Sequence, residues 1–511
     1  MKNIFRGRKI KYGSVSLALT VLVVAAVIII NAAFSALAYS YGWGVNMSSE
    51  FAYGISEKCE AYLENTIFPL MDKANKASGE KNKIKIIFCD ELENLDDELS
   101  QEYVLNSILE LKEKYPDRIA TEHLNVWENP KLAKTYGVTS DSDIVFVFGD
   151  KYTTLSIAQF YVMSDGNTET PTAYNSERRI ASAFLRIVSN ETPTCYFTLN
   201  HGEGLDDSEL MFLVADAGYN YAFIDLSTEE IPSDCALLVT VNPTHDIREE
   251  SSISAVSETQ KLDNYMAAGG KYMVLLSPNT FASGALPKFE KFLGAWGVNY
   301  MHSSNKGVEN CYLLRDTANS VLGDAYNVLA KTSENATAKS IFGEMSKKAV
   351  FAQATAISPA DGFKSDGNGN FVSGERTMSP ILSSYSSAEA WAGGEVVARA
   401  TDSPFTLMSA TTQKTETGKT ACLVAGTSVA FCSEDALQST VYGNGEALMR
   451  VFEYMGNKNS PMTLTSRPLQ PPPIQSLTNR NAVIITVVLC AAPATIATLA
   501  GIFVLVRRKR S

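Results

Sequence analysis

His201 and Glu203 are the residues whose types and spacing in this chain most readily suggest a chemical site. They follow a predicted strand at residues 194–199, and ligand sites of α/β proteins gather where strands end. Imidazole and carboxylate groups bind zinc, but such a site needs further ligands, and the four His of the chain show no metal-binding spacing. The alternative is a hydrogen-bonded turn in which His201-Gly202-Glu203 ends the strand.

Other sequence patterns of catalysis are missing. Nothing matches the Gly-rich Walker A loop, so the sequence contains no ATP-binding motif of that type. The Gly-x-Ser-x-Gly pattern is also absent, and Gly426-Thr427-Ser428 lacks its second glycine. The eight Cys show no C-x-x-C spacing, and no basic neighbour would lower the pKa of the lone Cys89 thiol. We therefore expect no catalytic residue, no cofactor and no metal.

Glu177, Arg178 and Arg179 stand together at the start of a predicted helix at residues 175–189. A short run of charges in that position is commonly a solvated basic patch. The other interpretation is a charge pair that binds a partner subunit. The sequence leaves both open.

The elements that would position these residues fall into two predicted regions, and the first covers residues 51–165. Helical and strand periodicities alternate along it. The predicted elements are a helix at 55–73, a strand at 84–89, a helix at 100–114, a strand at 120–126, a short helix at 130–136 and a strand pair at 142–149 and 151–157. This α/β order looks like a thioredoxin-like unit.

The second predicted region covers residues 175–460. After the helix at 175–189, strands at 194–199, 220–225, 236–241 and 271–276 alternate with helices at 207–217 and 258–268. Such alternation requires crossover connections and a mostly parallel sheet. Residues 303–400 have a weak pattern, and strands at 405–411 and 420–424 precede a helix at 446–455. A proline-rich linker is predicted at 461–480, with a stiff spacer at 467–473.

Two uncharged apolar runs flank these regions, at residues 15–38 and 481–506. Each is long enough to span about 30 Å of hydrocarbon as a helix. We therefore expect two transmembrane helices. The alternative for the first run is a signal peptide cleaved after Ala38.

Basic residues orient both runs. They lie before the first and after the second, at Lys2, Arg6, Arg8, Lys9, Lys11, Arg507, Arg508, Lys509 and Arg510. Such residues stay cytoplasmic, so the segments 1–14 and 507–511 are predicted inside and the bulk of the chain outside the plasma membrane. The whole chain carries −12, and without those nine positive charges about −21 remains. An acidic region of this kind argues against nucleic acid as a partner.

Several passages resemble the gliding-motility-type auxiliary component of ABC transporters, the GldG-like family. The matching passages are Ser176 to Leu185 with its Glu177-Arg178-Arg179, the strand that ends in His201-Gly202-Glu203, the Gly269-Gly270 turn, Tyr442 to Gly445 with Asn444, and the closing apolar run with its Arg cluster. The family's Gly-His-Gly-Glu differs here, because Asn200 replaces the first glycine.

The resemblance implies a fold, partners and a function. The fold class would be α/β, a thioredoxin-like unit plus a glutamine-amidotransferase-like doubly wound parallel-sheet unit, flanked by two transmembrane helices. The partners would be a separate ABC ATPase and a multi-spanning permease of the ABC-2 type, and the chain would be their non-catalytic auxiliary subunit. An extracytoplasmic ligand-binding or sensor module, or a surface hydrolase of amidotransferase-like fold, are the alternatives.

Overall fold

The computed structural model describes residues 54–469, except 91–98, 127, 165–166, 190–191, 205–207, 250–256, 284–285, 303–310, 322, 344, 346, 402, 458 and 462–463. These described residues belong to one compact unit. The predicted transmembrane segments at 15–38 and 481–506 and their basic flanks lie outside the described residues. Within the described part, no helix has the length and apolarity to span a bilayer.

The first sheet has four strands in the spatial order β2-β1-β3-β4. Its strands are β1 (Ile84–Phe88), β2 (Ile119–His123), β3 (Asp143–Phe148) and β4 (Lys151–Ser156). The pair β1–β2 is parallel, whereas β3 runs antiparallel to both β1 and β4. The predicted strands and their hairpin are confirmed, because β-branched and aromatic side chains fit a buried pleated surface.

Among the described residues of this region, the helices are α1 (Glu57–Tyr62), α2 (Phe68–Ser78), α3 (Leu99–Lys114), α4 (Pro130–Thr135) and α5 (Ser176–Val188). The segment predicted as one helix at 55–73 is α1 and α2 joined by a π-helical turn. The apolar face of α5 packs into the core of the first sheet, where Phe184 meets Phe146 edge-on. Helix α5 therefore packs in the core of the first sheet, although the next element along the chain is a strand of the second sheet.

A hairpin follows β4, with strands β5 (Tyr161–Ser164) and β6 (Asn167–Tyr174). The second and larger sheet then begins. Its parallel strands are β7 (Thr194–Thr198), β8 (Asn220–Ile224), β9 (Cys235–Val241), β10 (Lys271–Leu275) and β24 (Thr420–Gly426). Their spatial order is β8-β7-β9-β10-β24, and neighbours are parallel throughout. The predicted parallel sheet is confirmed.

Helices cover both faces of this parallel sheet. Helix α6 (Ser208–Asp216) packs on one face, while α7 (Glu258–Ala267) and α9 (Pro287–Ala295) pack on the other, with α8 (Pro278–Ser283) between them in the chain. Alternate residues of strand β9 pack on opposite faces of the sheet. Val239 belongs to the core on the α6 side, and Leu238 belongs to the core on the α7 and α9 side. This alternation follows from the two-residue period of a strand.

The weakly patterned residues 303–400 and their flanks are rich in short strands that extend the large sheet or form two small three-stranded sheets. These strands are β11 (Val298–Tyr300), β12 (Leu313–Arg315), β13 (Ser320–Val321), β14 (Asp324–Leu329), β15 (Lys331–Thr332), β16 (Val350–Ala352), β17 (Ile357–Pro359), β18 (Lys364–Ser365), β19 (Phe371–Ser373), β20 (Arg376–Ser383), β21 (Glu389–Ala392), β22 (Glu395–Arg399) and β23 (Thr406–Lys414). Strand β23 pairs antiparallel with β24 and joins this extension to the parallel strands. The remaining α-helices in the described part of the chain are α10 (Ala336–Phe342), α11 (Glu434–Leu437) and α12 (Asn444–Tyr454).

The last described residues return to the first sheet's side of the molecule. Strand β25 (Arg467–Pro468) pairs antiparallel with β6, and the Leu469 amide donates to the Thr172 carbonyl at 3.0 Å. The predicted spacer at 467–473 is therefore corrected at its first residues, which are bound to a sheet. Pro468 is tolerated because β25 is an edge strand.

Candidate functional site

The strand order of the parallel sheet creates a crevice at one edge. Helix α6 follows β7 and packs on one face, whereas α7 follows β9 and packs on the opposite face. Because β7 and β9 are neighbours, the chain leaves the carboxyl ends of two adjacent strands in opposite directions. Doubly wound sheets bind their ligands at such a switch point. His201 and Glu203 follow β7 and lie at this edge.

His201 is held between two carboxylates. Its Nδ1 lies 3.1 Å from Glu203 Oε1 and its Nε2 lies 2.8 Å from Glu258 Oε2. The His201 backbone amide also donates to Glu203 Oε2 at 2.7 Å. Glu258 comes from the first turn of α7, far along the sequence, and is fully buried. The predicted hydrogen-bonded turn is confirmed, and the structure adds the second carboxylate.

The charges of this cluster are strongly coupled. Burial opposes protonation of His201, but its hydrogen bonds to Glu203 and Glu258 raise its pKa to about 9. Burial likewise opposes ionisation of the two carboxyls, yet the hydrogen bonds from His201 hold the pKa of each below its ordinary value. At neutral pH the cluster is thus a histidinium between two carboxylates.

The backbone of the turn leaves no room for a side chain at Gly202. Its φ is +74°, and a Cβ placed there would lie 1.9 Å from Thr244 Oγ1. The amides of Thr244 and His245 donate to the His201 carbonyl at 2.7 and 2.8 Å. Gly202 therefore lets the loops that follow β7 and β9 touch across the switch point.

A crevice of about 450 Å³ opens beside the cluster, along the carboxyl ends of β7, β9, β10 and β24. Its lining includes Gly204, Asn242, Ser277, Gln353, Ser433 and Glu434. Asn242 and Gln353 have φ of +50° and +47°, which a residue with a side chain rarely adopts. Such strained backbone is concentrated at functional sites.

Arg178 and Arg179 are buried and bind an internal partner. Arg178 Nε lies 3.1 Å from Asp216 Oδ2, and Arg179 Nη1 lies 2.8 Å from Asp216 Oδ1. Ser182 Oγ donates to the Asp216 carbonyl at 2.6 Å. The solvated basic patch is therefore wrong, because α5 turns this face towards the end of α6.

Glu177 joins the two ends of the described chain. Its carboxylate accepts from the Ser56 amide at 2.5 Å and from Ser56 Oγ at 3.0 Å. Arg467 Nη2 lies 2.5 Å from the same carboxylate, and Arg467 Nη1 donates to the Gly54 carbonyl at 2.7 Å. The first and last described residues thus meet at Glu177.

The remaining residues of the resemblance lie apart from His201. Gly269 has a φ of +94°, and a Cβ on Gly270 would lie 2.5 Å from the Tyr265 ring, so this pair makes the tight turn from α7 into β10. Asn444 is fully buried, accepts from the Val350 amide at 2.9 Å and donates to the Phe431 carbonyl at 3.0 Å. These residues support the fold rather than the crevice.

The thiols are protected from reaction. The seven described Cys are free. Burial and the nearby Asp143 and Asp141 raise the pKa of Cys89 to about 12, which confirms that nothing lowers it. Within the described ranges, no cluster of three or more His, Cys, Asp or Glu is arranged to hold a metal ion.

Comparisons with known proteins give distant structural likenesses. No family model matches it, and no curated protein matches it. Among solved structures, the mmIFT52 N-terminal domain is 12% identical, with a TM-score of 0.36 over 51% of this chain and 96% of its own. PurLQS from Thermotoga maritima is 13% identical, with a TM-score of 0.29 over 52% and 99%. The cytoplasmic protein STM3548 from Salmonella typhimurium is 8% identical, with a TM-score of 0.30 over 51% and 98%. These scores are too low to assign a fold, and the class of the protein is a mixed α/β protein with several sheets.

Proposed function

We propose that this chain is a non-catalytic, membrane-anchored auxiliary subunit of an ABC-2 type transporter. Transmembrane helices at 15–38 and 481–506 would hold it in the plasma membrane, with both termini cytoplasmic. The region between them would lie outside and assist transport or substrate engagement, beside a separate ABC ATPase and a multi-spanning permease. This proposal extends the resemblance to the GldG-like family.

The observation that carries the proposal is the meeting of the two described ends at Glu177. Ser56 and Arg467 both bind its carboxylate, and Glu177 is itself almost completely buried. A folded region held by an anchor at each end would need both ends on the same side. The Glu177 contacts provide that arrangement for the segments that lead to the two apolar runs.

The strand orders support the finer fold assignments. The order β2-β1-β3-β4, with one parallel pair and an antiparallel hairpin, supports a thioredoxin-like first unit. The five parallel strands with helices on both faces support a glutamine-amidotransferase-like second unit. We propose both assignments as part of the same account.

The state of His201 supports a non-catalytic role. A general base must accept a proton from its substrate, and a histidine whose pKa is raised to about 9 is already protonated at neutral pH. Both of its ring nitrogens are also engaged by Glu203 and Glu258. The cluster is suited to holding the loops of the switch point together.

Affinity purification of the full-length chain from mild detergent tests the proposal. We expect an ABC ATPase and a multi-spanning permease to co-purify in constant ratio, and to be lost in harsher detergent. Repeated recovery of the chain alone, with the ATPase and permease present in the same membranes, would refute the subunit role.

A ligand-binding module is the second candidate, favoured by the crevice. Asn242 and Gln353 hold strained backbone at its wall, and the lining combines polar side chains such as Ser277 with apolar ones such as Val429. Thermal unfolding of the full-length protein with a panel of sugars, lipids and peptides tests this role, since a ligand that binds only the folded state raises Tm. A shift that Gln353→Gly abolishes would support the module, and no shift across the panel would exclude those ligands.

A further inference from the structure

Two exposed sheet edges face a common groove on the side of the molecule away from the switch point. Strand β4 is the edge of the first sheet, and β8 is the edge of the large sheet. A small cavity of about 160 Å³ lies between them and is lined by Thr153 and Thr154 from β4, Phe212 from α6 and Tyr221 from β8. Edge strands present unpaired N–H and C=O groups, which a further strand can bind.

Exposed aromatic side chains are concentrated at these two edges. Tyr221 and Phe223 on β8 are 45% and 44% exposed, Tyr152 on β4 is 46% exposed, and Phe212 is 36% exposed. The other large hydrophobic residues of the described chain with comparable exposure are the scattered aliphatics Leu132, Val397 and Val441. A cluster of exposed aromatics is typical of a protein-binding surface.

The charged side chains that line the cavity are Arg179, Asp216 and Arg186. Arg186 lies in the last turn of α5, is half-buried, and makes no hydrogen bond or ion pair with any part of the chain that the structure describes. Asp216 is the carboxylate that lines the same cavity, but both of its oxygens are engaged by Arg178 and Arg179. A partly desolvated guanidinium without its own counterion attracts a carboxylate.

We propose that this groove binds an extended acidic segment of a partner protein, which pairs with β8 and places a carboxylate on Arg186. Tyr221 and Phe223 are two residues apart and so share one side of β8, where they match the two-residue period of an added strand. A second copy of this chain that pairs through its own β8 fits less well, because the sequence of β8, Asn-Tyr-Ala-Phe-Ile, has no carboxylate to offer Arg186. This inference is independent of the proposed transporter role.

A peptide-display selection against the full-length protein in detergent tests the proposal. The probe is a library of random heptapeptides. We expect the enriched peptides to carry Asp or Glu flanked by β-branched or aromatic residues. Enrichment of peptides without an acidic residue, or no enrichment at all, would overturn the proposal.

Variants then locate the binding site. For an enriched peptide measured by fluorescence anisotropy, Arg186→Gln should weaken binding at least tenfold, and Arg186→Lys should weaken it less. Replacing the acidic residue of the peptide by its amide should reduce affinity for the wild type, but not for Arg186→Gln. Phe223→Ser should weaken both peptides equally, and it is exposed enough to leave folding intact.

Arg399→Gln is the matched control, because Arg399 is an exposed arginine on β22, outside the groove. Equal affinity of wild type and Arg186→Gln would overturn the proposal, as would equal losses in Arg186→Gln and Arg399→Gln. A wild-type dimer that Phe223→Ser converts to a monomer would identify a second copy as the occupant, and would also overturn it.

Discussion

Two charged clusters of this protein differ in what they connect. The first, around Asp216, joins α5 of the first sheet's core to α6 of the large sheet. The second, around His201, joins the loops after β7 and β9 within one sheet edge. Both are buried, and each borders an opening: Arg179 and Asp216 line the small cavity between β4 and β8, whereas the loop that follows His201 lines the larger crevice.

The Asp216 cluster shows how buried charges can have a structural role. Arg178 and Arg179 sit at the carboxyl end of α6, where a helix dipole favours cations, and their charges are balanced by Asp216 and the nearby Glu209. Both carboxylate oxygens of Asp216 are bound by these two arginines. Beside His201, in contrast, neutral polar groups and strained backbone at Asn242 and Gln353 remain open to solvent.

The largest expected effect is at the Asp216 cluster. Asp216→Ala would leave two buried guanidinium groups without their counterion, and removal of one partner from a buried charge pair costs about 3–5 kcal/mol. We expect the free energy of unfolding of the full-length protein in urea to fall by that amount.

Asp72→Ala is the control for this variant, because Asp72 pairs with Arg118 at the surface. An exposed ion pair contributes about 0–1 kcal/mol. Equal losses of stability in the two variants would show that the Asp216 cluster does not hold the two sheets together.

The next largest loss of stability is expected for His201→Gln. It would remove a charge-assisted hydrogen bond to each of two buried carboxylates, at roughly 2–3 kcal/mol. The loss should be largest near pH 6 and should shrink as the pH rises. A pH-independent loss would contradict the ionised state of this cluster.

The pH window follows from the shifted pKa values. The pKa of His201 is raised from 6.5 to about 9, so its contribution is complete below pH 6.5 and is lost as the pH rises through about 9. The pKa values of Glu203 and Glu258 are lowered below 4.5, so their contribution is complete above pH 4.5 and is lost as the pH falls. The difference between wild type and His201→Gln should therefore peak between about pH 4.5 and 6.5.

Alanine substitutions at two glycines distinguish the stability cost of backbone strain from the cost of steric crowding. Gly202 and Gly79 have nearly the same φ, +74° and +77°, but a Cβ on Gly79 would meet nothing within 4 Å. Gly79→Ala should cost about 1 kcal/mol, the strain of a left-handed residue. Gly202→Ala should cost about 2 kcal/mol, because the same backbone strain is joined by the crowding that forces Thr244 to move. Thermal unfolding compares them, and equal Tm shifts would mean that the loops after β7 and β9 are not in close contact.

The smallest global effect is expected at Glu177. Glu177→Gln keeps the size of the side chain but weakens its bonds to Ser56 and Arg467, at about 1 kcal/mol. Amide hydrogen exchange should rise at the start of α1 and in β25, and stay unchanged in β7–β10. Exchange that rises equally throughout would show that Glu177 has no specific role at the chain ends.

The sequence predicted the regular elements better than their long-range contacts. Strand β3 and helix α5 follow from apolar periodicity, and the turn at His201 from its short spacing. Glu258 and Asp216 could not be paired with His201 and Arg178, because each contact joins residues brought together only by sheet order. Strand β20 was missed since its sequence, Arg-Thr-Met-Ser-Pro-Ile-Leu-Ser, mixes polar residues with a proline. Nothing in the sequence around Gln353 indicated its left-handed backbone, because that conformation depends on tertiary packing.

The most direct test of the account is the location of the folded region relative to the membrane. A Cys at Ser365, in the exposed strand β18, can be compared in intact cells with a Cys at Asn3 or Ser511, using a membrane-impermeant maleimide. Background labelling should be low, because the described native Cys are buried apart from the half-buried Cys235. The account predicts labelling of Ser365→Cys in intact cells, and of Asn3→Cys and Ser511→Cys only after permeabilisation. Labelling of either terminus from outside, with Ser365→Cys protected, would contradict it.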